Sequence, residues 1–168
     1  MTKESPEEKQ QAHRRLLMRL EMQGHDVDRL TRGLSEEILS KRAIPDKWSL
    51  KELLCHMVIT QAVFAERAAT MLREEHTTLK SYDPEEDPEF DVAKTRPMGV
   101  LISQFWADRT RLVRLLEPLT PAEWHRTGEH PEFAHYDIHF LVEYMVYHEA
   151  HHLYQMLWRR KDQGKIPH

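Results

Sequence analysis

The sequence predicts an all-α protein that folds as a four-helix bundle. Four long segments of the 168-residue chain carry apolar residues separated by three, four or seven positions, which is the spacing of one face of an α-helix. Helix-capping sequences precede several of these segments, and only five glycines occur, which disfavours a turn-rich β fold. Four helices of about 20–27 residues bury their apolar faces most economically against one another. We therefore expect residues 1–168 to form a single domain.

The first helix is predicted to begin after Ser5 and to end near Gly33. Ser5 and Glu8 form a capping box, in which the hydroxyl and the carboxylate satisfy backbone N–H groups of the first turn. Gly33 suits the left-handed conformation that often closes a helix. The linker over residues 34–47 is predicted to contain one short helical turn that begins at Ser35.

The second helix is predicted to begin at Ser49, where Ser49 and Glu52 form another capping box, and to fade near Glu75. The link that follows, residues 76–96, has 21 residues, whereas most connections have about 4–6. A link of this length can cross the bundle, so the second and third helices can run parallel. Its acidic composition fits either a solvated crossover or a lid over a functional site, and both interpretations stay open.

The third helix is predicted over residues 97–117 and the fourth over residues 137–160, with Gly164 and Pro167 as stop signals. Within the fourth helix, residues 140–146 are apolar on nearly every side. A helix that lacks a polar face is typical of a protein interior. We therefore expect the fourth helix to be the most buried of the four.

Composition and charge argue against several classes of protein. The net charge of −4 is unlike that of a general nucleic-acid-binding protein, which carries a basic excess. A single cysteine, Cys55, excludes an internal disulfide and fits a reducing compartment. No apolar run approaches the ~18 residues of a membrane span, and the N-terminus is too polar for a signal peptide. We expect a cytoplasmic protein without a nucleic-acid or membrane partner.

Histidine is unusually frequent, and its positions suggest a metal site. Eight of the 12 histidines follow residue 124, and histidine is the commonest metal ligand. His148 and His152 lie four apart on one helical face, whereas His151 points about 100° away from His152. His56, within the second helix, is the candidate for a third ligand. Three neutral imidazoles can hold a divalent ion and leave a position open; the alternative is that these histidines are core and surface residues.

Three segments resemble the motifs of one protein family. Residues 45–57 resemble a motif in which Lys-Trp-Ser is followed by a glutamate and a histidine. Residues 128–134 resemble a His-Pro-Glu turn before the last helix, with Ala134 where a glycine is usual. Residues 147–155 resemble a segment with three histidines and a glutamine. The motifs occur in the order found in the DinB/YfiT-like family and together cover most of the chain.

This resemblance implies a topology, a metal site and a type of chemistry. It implies an up-down-down-up bundle with a long crossover between helices 2 and 3. Transferred residue by residue, the metal ligands are His56, His148 and His152, and availability and the family favour zinc or nickel. Family members of known activity include thiol-dependent S-transferases and an isomerase, which implies a low-molecular-weight thiol as cosubstrate. The family also often forms homodimers.

Three neighbouring side chains are candidate catalytic residues, each with a structural alternative. Glu52 lies one turn before His56 and could orient it or occupy an open metal position, or it serves only as the capping residue. Gln155 lies three residues after His152 and bonds a ligand histidine or a substrate, or is a polar core residue. Tyr144 donates a hydrogen bond to a bound group or packs within the bundle.

The remaining histidines are interpreted as structural or solvated. His130, in the turn before the last helix, either shapes the turn or contacts substrate. The others are expected in solvent: His13, His25, His76, His125, His135 and His139.

Two functional hypotheses from different classes follow. The first is a metal-dependent enzyme that activates a thiol or water against a small electrophile, as a thiol S-transferase or a hydrolase does. The second is a stress-associated helical bundle that binds metal or a ligand without turnover. A general acid or base beside the ion would discriminate between them. No serine-hydrolase motif, phosphate-binding loop or Cys-x-x-Cys pair occurs in the sequence.

Overall fold

Seven helices follow one another in the computed structural model, which describes residues 5–84 and 86–163. They are α1 (Pro6–Thr31), α2 (Glu36–Ser40), α3 (Leu50–Arg73), α4 (Pro88–Thr95), α5 (Met98–Leu116), α6 (Pro121–Trp124) and α7 (Ile138–Arg160). The long helices α1, α3, α5 and α7 lie where the sequence predicts them. The predicted stop signals Gly164 and Pro167 lie outside the described residues. No helix of the described chain combines the length and the apolar character that crossing a membrane requires.

The helix starts are set by local hydrogen bonds that the sequence signals. Ser5 and Ser49 each accept a hydrogen bond from the N–H group of the third helical residue, whose carboxylate accepts one from the serine N–H. Asp137 caps α7 by accepting the N–H of Phe140 at 2.7 Å. Each cap satisfies donors that a helix start leaves open and contributes about 1 kcal/mol. The predicted capping boxes are therefore confirmed.

The core has two layers, and each layer shows which way the helices run. One layer joins the start of α1, the ends of α3 and α5 and the start of α7, through Leu20, Met71, Leu116 and Leu141. The other layer joins the opposite ends of the same helices. Consequently α3 and α5 run parallel to each other and antiparallel to α1 and α7. This arrangement confirms the predicted up-down-down-up bundle with a long crossover.

The crossover between α3 and α5 contains a helix that was not predicted. α4 is capped by Asp87, whose carboxylate accepts the N–H of Glu89 at 2.9 Å. It packs on α3 through the buried Ala93, and the ring of Phe90 lies 5.2 Å from that of Trp48. Eight residues with so few apolar anchors leave little periodicity to detect.

The most buried helix is α3. The expectation that the fourth long helix, α7, is the most buried was wrong. Every residue from Leu50 to Gln61 is buried, because α2 and α4 pack on α3 in addition to α5 and α7. α7 keeps an exposed side that includes Tyr144 and Tyr147. Tyrosine tolerates such a position because its ring is apolar and its hydroxyl is polar, and apolar composition alone did not reveal this.

A buried polar group joins the four long helices. The guanidinium of Arg109 in α5 donates to the carboxylate of Glu149 in α7. It also donates to the side-chain oxygen of Gln61 in α3 and to the carbonyl of Leu20 in α1. The amide of Gln61 donates in turn to the carbonyl of Phe105 at 2.9 Å. Removing one partner of such a buried ion pair costs about 3–5 kcal/mol.

Candidate metal centre

Three histidines from two helices meet between α3 and α7; we call them the histidine triad. His56 belongs to α3, and His148 and His152 lie one turn apart on α7. Nε2 of His148 lies 3.0 Å from Nε2 of His56 and 3.1 Å from Nε2 of His152. One ring nitrogen of each residue lies within 4.8 Å of the other two. The structure thus brings the predicted ligand set together at one point.

Hydrogen bonds alone do not explain the contacts of His148. An imidazole nitrogen has one site in the plane of the ring, which holds either a proton or a lone pair. Nε2 of His148 can therefore form one hydrogen bond, to His56 or to His152. The other contact would have to share the same proton or the same lone pair, or would set two like groups against each other. A cation at the shared point accepts lone pairs from all three nitrogens and removes this conflict.

The spacing of the nitrogens fits a transition-metal ion. A zinc–imidazole bond is about 2.0–2.1 Å long, so two nitrogens on one ion are about 2.9 Å apart at a right angle and about 3.3 Å apart at the tetrahedral angle. The separations of 3.0 and 3.1 Å lie between these limits. Three imidazoles also leave a coordination position free, as in catalytic zinc sites. The residues present therefore fit such an ion.

Burial keeps the three rings neutral. Burial, followed by the nearby His152 and His148, lowers the pKa of His56 to about 3. Burial, followed by His152 and His151, lowers the pKa of His148 to about 4. Burial also lowers the pKa of His152, although its hydrogen bond to Gln155 opposes the shift. At neutral pH each ring therefore keeps a lone pair available to a metal ion.

Gln155 holds one member of the triad in position. Its side-chain oxygen lies 2.9 Å from Nδ1 of His152 and accepts the proton there. Nε2 of His152 is then the nitrogen with the lone pair, and it is the one that faces the triad. The amide nitrogen of Gln155 lies 3.0 Å from Nε2 of the exposed His151. The sequence allowed Gln155 to contact a ligand histidine, a substrate or the core, and in the structure it contacts the triad histidine His152.

Glu52 makes structural contacts at the start of α3. Its carboxylate accepts the N–H of Ser49 at 2.8 Å and pairs with the guanidinium of Arg42. Burial by itself raises the pKa of this carboxyl. The hydrogen bonds from Arg42 and Ser49 together lower the pKa by more than burial raises it, so the net shift is downward. Glu52 does not belong to the group of converging ligand atoms. The capping interpretation is therefore the one that describes its contacts.

A cavity of about 160 Å³ adjoins the triad. His56 and His148 form part of its wall, and so does Tyr144. The ring of Tyr144 stacks on that of His148 with centroids 6.3 Å apart. The same ring packs edge-on against Phe64 and Phe133. Tyr144 thus combines the packing role with a place in the cavity wall.

The crossover covers one side of this cavity. Tyr82 and Pro84 belong to the cavity wall, and the hydroxyl of Tyr82 donates to Asp87 at 2.9 Å. Arg67 in α3 donates to the carbonyl of Lys80 at 2.7 Å, which ties the crossover to the bundle. The segment thus borders the cavity through Tyr82 and Pro84, whereas its acidic residues Asp83, Glu86 and Glu89 are exposed.

The turn before α7 also reaches the cavity. His130 stacks on Tyr136 with centroids 4.8 Å apart, and its Nδ1 accepts the N–H of Glu132 at 3.2 Å. His130 lines the cavity as well, so the turn role and the site role coexist. Among described residues other than glycine, Asp46 alone has a positive φ. Ala134 therefore replaces the usual glycine without backbone strain.

The sequence matches a known family over most of its length. The family model of the DinB superfamily matches residues 19–156. The chain belongs to the DinB superfamily. The matched residues include the whole triad, so the resemblance noted on three motifs is confirmed.

Two relatives of this DinB chain are informative. A protein of Oceanobacillus iheyensis, named as an inferred metal-dependent hydrolase, is 27% identical over 144 residues, which span 82% of this chain and 83% of that protein. YfiT from Bacillus subtilis, described as an inferred metal-dependent hydrolase with an unusual four-helix bundle topology, superposes with a TM-score of 0.80. The superposition covers 98% of this chain and 92% of YfiT at 18% identity. At that identity the likeness shows the fold alone.

A second group of histidines lies at the other end of α7; we call His13, His125 and His139 the α6 cluster. His13 is 5% exposed and stacks flat on Trp124 with centroids 4.3 Å apart. The rings of His125 and His139 lie 6.0 and 5.3 Å from that of His13. The expectation that His13 lies in solvent was wrong, because α6 places Trp124 over α1.

Several residues of the cavity wall were not predicted. Thr60, Phe64 and Arg67 follow His56 by four, eight and eleven positions and belong to the wall. These intervals keep them on the same side of α3, so the sequence contained a signal for them. The wall residues from the crossover and from the turn before α7 have no such local pattern, because tertiary packing alone brings them there.

Proposed function

We propose that this DinB-superfamily protein is a metal-dependent hydrolase in which His56, His148 and His152 hold a divalent ion. The convergence of their Nε2 atoms at 3.0 and 3.1 Å carries the proposal. The relative named as an inferred metal-dependent hydrolase supports the reaction class. Zinc and nickel are the ions we propose, because both suit imidazole ligands.

The side chains around the triad create a setting in which a bound ion is catalytically useful. When bound, such an ion lowers the pKa of a coordinated water or thiol and polarises a carbonyl group. Gln155 keeps His152 in the ligating tautomer. The ring of Trp48 packs beside two of the triad rings, 5.0 Å from that of His56 and 6.4 Å from that of His152. In the proposal Tyr144 donates a hydrogen bond to the substrate from the cavity wall.

The proposed nucleophile is water, and a low-molecular-weight thiol is the alternative. The chain's single cysteine, Cys55, does not supply that thiol. Its side chain is buried, and burial raises its pKa to about 11. A thiol nucleophile would therefore enter as a cosubstrate.

Metal analysis of the purified protein tests the site. We expect the wild-type protein to hold close to one equivalent of zinc or nickel after reconstitution and dialysis, measured by elemental analysis. His56→Ala removes one ligand and should retain less than a tenth of that. His151→Ala, which removes an exposed histidine adjacent to His152, is the matched control and should retain the metal. Equal loading of the His56→Ala variant would contradict the proposed site.

A substrate panel tests the reaction. The zinc and nickel forms are assayed against small esters, amides and electrophiles, with water alone and with added thiols. Turnover in water that is lost in His56→Ala supports the hydrolase. Turnover that requires a thiol identifies the transferase instead. Full metal loading without turnover in either condition indicates the non-catalytic metal- or ligand-binding bundle.

A further inference from the structure

One side of the cavity is a stripe of α3 that begins at His56 and ends at Arg67. An interval of eleven residues turns a helix by about 1,100°, which is about 20° beyond three full turns. Both residues belong to the cavity wall, as do Thr60 and Phe64 between them. Helical side chains lean toward the N-terminus of their helix, which for Arg67 is toward His56. The cavity therefore has the triad at one end and a guanidinium at the other.

The guanidinium of Arg67 has no anionic partner among the described residues. It donates to the hydroxyl of Tyr136 at 3.2 Å and to the carbonyl of Lys80 at 2.7 Å. Both acceptors are uncharged, and none of the ion pairs between described residues includes Arg67. A guanidinium has five N–H donors, so these bonds leave donors for a ligand. Arginine binds carboxylates strongly because two parallel N–H donors match the two oxygens.

The charges of the cavity also favour an anion. The acidic and basic side chains of its described wall are Glu132 and Arg67, which are not paired with each other and whose charges sum to zero. The three imidazoles are neutral, so they leave the charge of a bound divalent ion uncompensated. The loaded cavity is therefore positive overall, and a positive cavity attracts anionic ligands.

Aromatic rings form much of the remaining wall, and the space is small. Phe64, Phe133 and Tyr136 line the cavity, and Tyr136 accepts a hydrogen bond from Arg67. The cavity volume is about 160 Å³. This space suits a molecule of a few carbon atoms with polar groups at its ends.

From these observations we infer that the cavity takes a small substrate carrying a carboxylate, which Arg67 binds while the reacting group lies at the triad. This inference rests on the proposed metal-dependent function and names the substrate class of the same site. Arg67 is accordingly a specificity-determining residue.

Binding to the cobalt-loaded protein tests the inference, because the visible absorption of Co²⁺ reports a new ligand at the ion. The probes are the monohydroxamates of succinic, glutaric and adipic acid, which carry a metal-binding group at one end and a carboxylate at the other. The matched probes carry a neutral primary amide in place of the carboxylate. We expect the best carboxylate probe to bind the wild-type protein at least tenfold more tightly than its amide. Equal affinities would overturn the assignment of Arg67.

Variants separate the guanidinium from general effects of charge. Arg67→Met should abolish the preference for the carboxylate probe without weakening the amide probe, and Arg67→Lys should retain part of the preference. Arg73→Met, which removes an exposed arginine of the same helix, should retain all of it. A full preference in Arg67→Met would overturn the inference, and the wild-type comparison stands even if that variant folds poorly. If cobalt does not bind, or no hydroxamate changes its spectrum, the proposed metal-dependent function fails together with the inference.

Discussion

The histidine triad and the α6 cluster each contain three imidazoles, yet they differ in where the nitrogens point. The ring centroids are 4.5–5.0 Å apart in the triad and 5.3–6.0 Å apart in the α6 cluster. In the triad the Nε2 atoms converge, whereas in the α6 cluster His13 presents its face to Trp124. Nδ1 of His125 lies 2.8 Å from a carboxylate oxygen of Asp137 instead of facing the other two rings. Proximity of rings therefore does not by itself make a metal site.

The difference originates in the elements that supply the rings. Two triad histidines are one turn apart on α7 and face a third on the packed helix α3, so one helical repeat aims two nitrogens at the same point. The α6 cluster draws its rings from α1, the end of α6 and the start of α7. Asp137 is also the cap of α7, so its carboxylate has a structural role there. Substitutions in the two groups should therefore have different effects, on metal binding in the triad and on stability in the α6 cluster.

The largest difference is expected in metal affinity. His148→Ala removes the nitrogen that contacts both other triad members, and we expect zinc affinity to fall at least 100-fold. His139→Ala, the matched change in the α6 cluster, should leave the affinity within twofold. Competition with a chromophoric chelator measures both. A similar loss in the two variants would show that the clusters are not functionally distinct.

We expect the α6 cluster to affect the pH dependence of the free energy of unfolding instead. Burial, followed by His139 and His125, lowers the pKa of His13 from 6.5 to about 4. Between these values the unfolded chain binds a proton that the folded chain does not, so the free energy of unfolding decreases as the pH falls from 6.5 to 4.

Replacement of His13 measures this contribution. His13→Phe keeps a ring on Trp124 but cannot titrate, so it should lose less stability over that pH range, by about 2 kcal/mol. Urea unfolding at pH 7 and pH 4 measures the change, with circular dichroism at pH 7 as the control for folding. Identical pH dependence in the two proteins would contradict the burial of a neutral His13.

A smaller effect is expected from the residue that supports the triad. Gln155→Leu removes the acceptor for the Nδ1 proton of His152, and loss of such an outer contact costs about tenfold in metal affinity. Gln155→Glu keeps an acceptor and should retain the affinity. The same chelator competition applies, and an unchanged affinity in Gln155→Leu would mean that His152 does not depend on this hydrogen bond.

The smallest effect is expected from Asp137, the carboxylate that contacts His125 of the α6 cluster. Asp137→Ala removes the cap of α7 and the partner of His125, which should lower the free energy of unfolding by about 1 kcal/mol. Zinc affinity should not change, because the triad lies several turns away on the same helix. Thermal unfolding and chelator competition measure the two quantities. A loss of zinc affinity without a loss of stability would show that Asp137 supports the metal site and not the start of α7.

The sequence predicted what depends on local patterns. The capping residues Ser5 and Ser49 marked helix starts, and the spacing of His148 and His152 placed them on one face. Burial of His13 was not predicted, because it depends on α6, an element distant in sequence. α4 was missed because its contacts with Trp48 and α3, rather than its own periodicity, hold it in place. The interval of eleven residues places His56 and Arg67 on one face of α3. Nothing in the sequence shows that this face borders a cavity, so Arg67 was not predicted as a site residue.

The ion pair of Arg109 and Glu149 constrains the triad although neither residue belongs to it. Glu149 directly follows His148, so any sliding of α7 moves carboxylate and imidazole together. A shift of one turn, about 5.4 Å, would separate the Arg109 guanidinium from the Glu149 carboxylate. Both charges would then be unpaired in an apolar interior, at a cost of several kcal/mol. Alternative registers of α7 are thereby disfavoured. The ligands on α7 are consequently preorganised toward His56 by charges that a bound metal never touches.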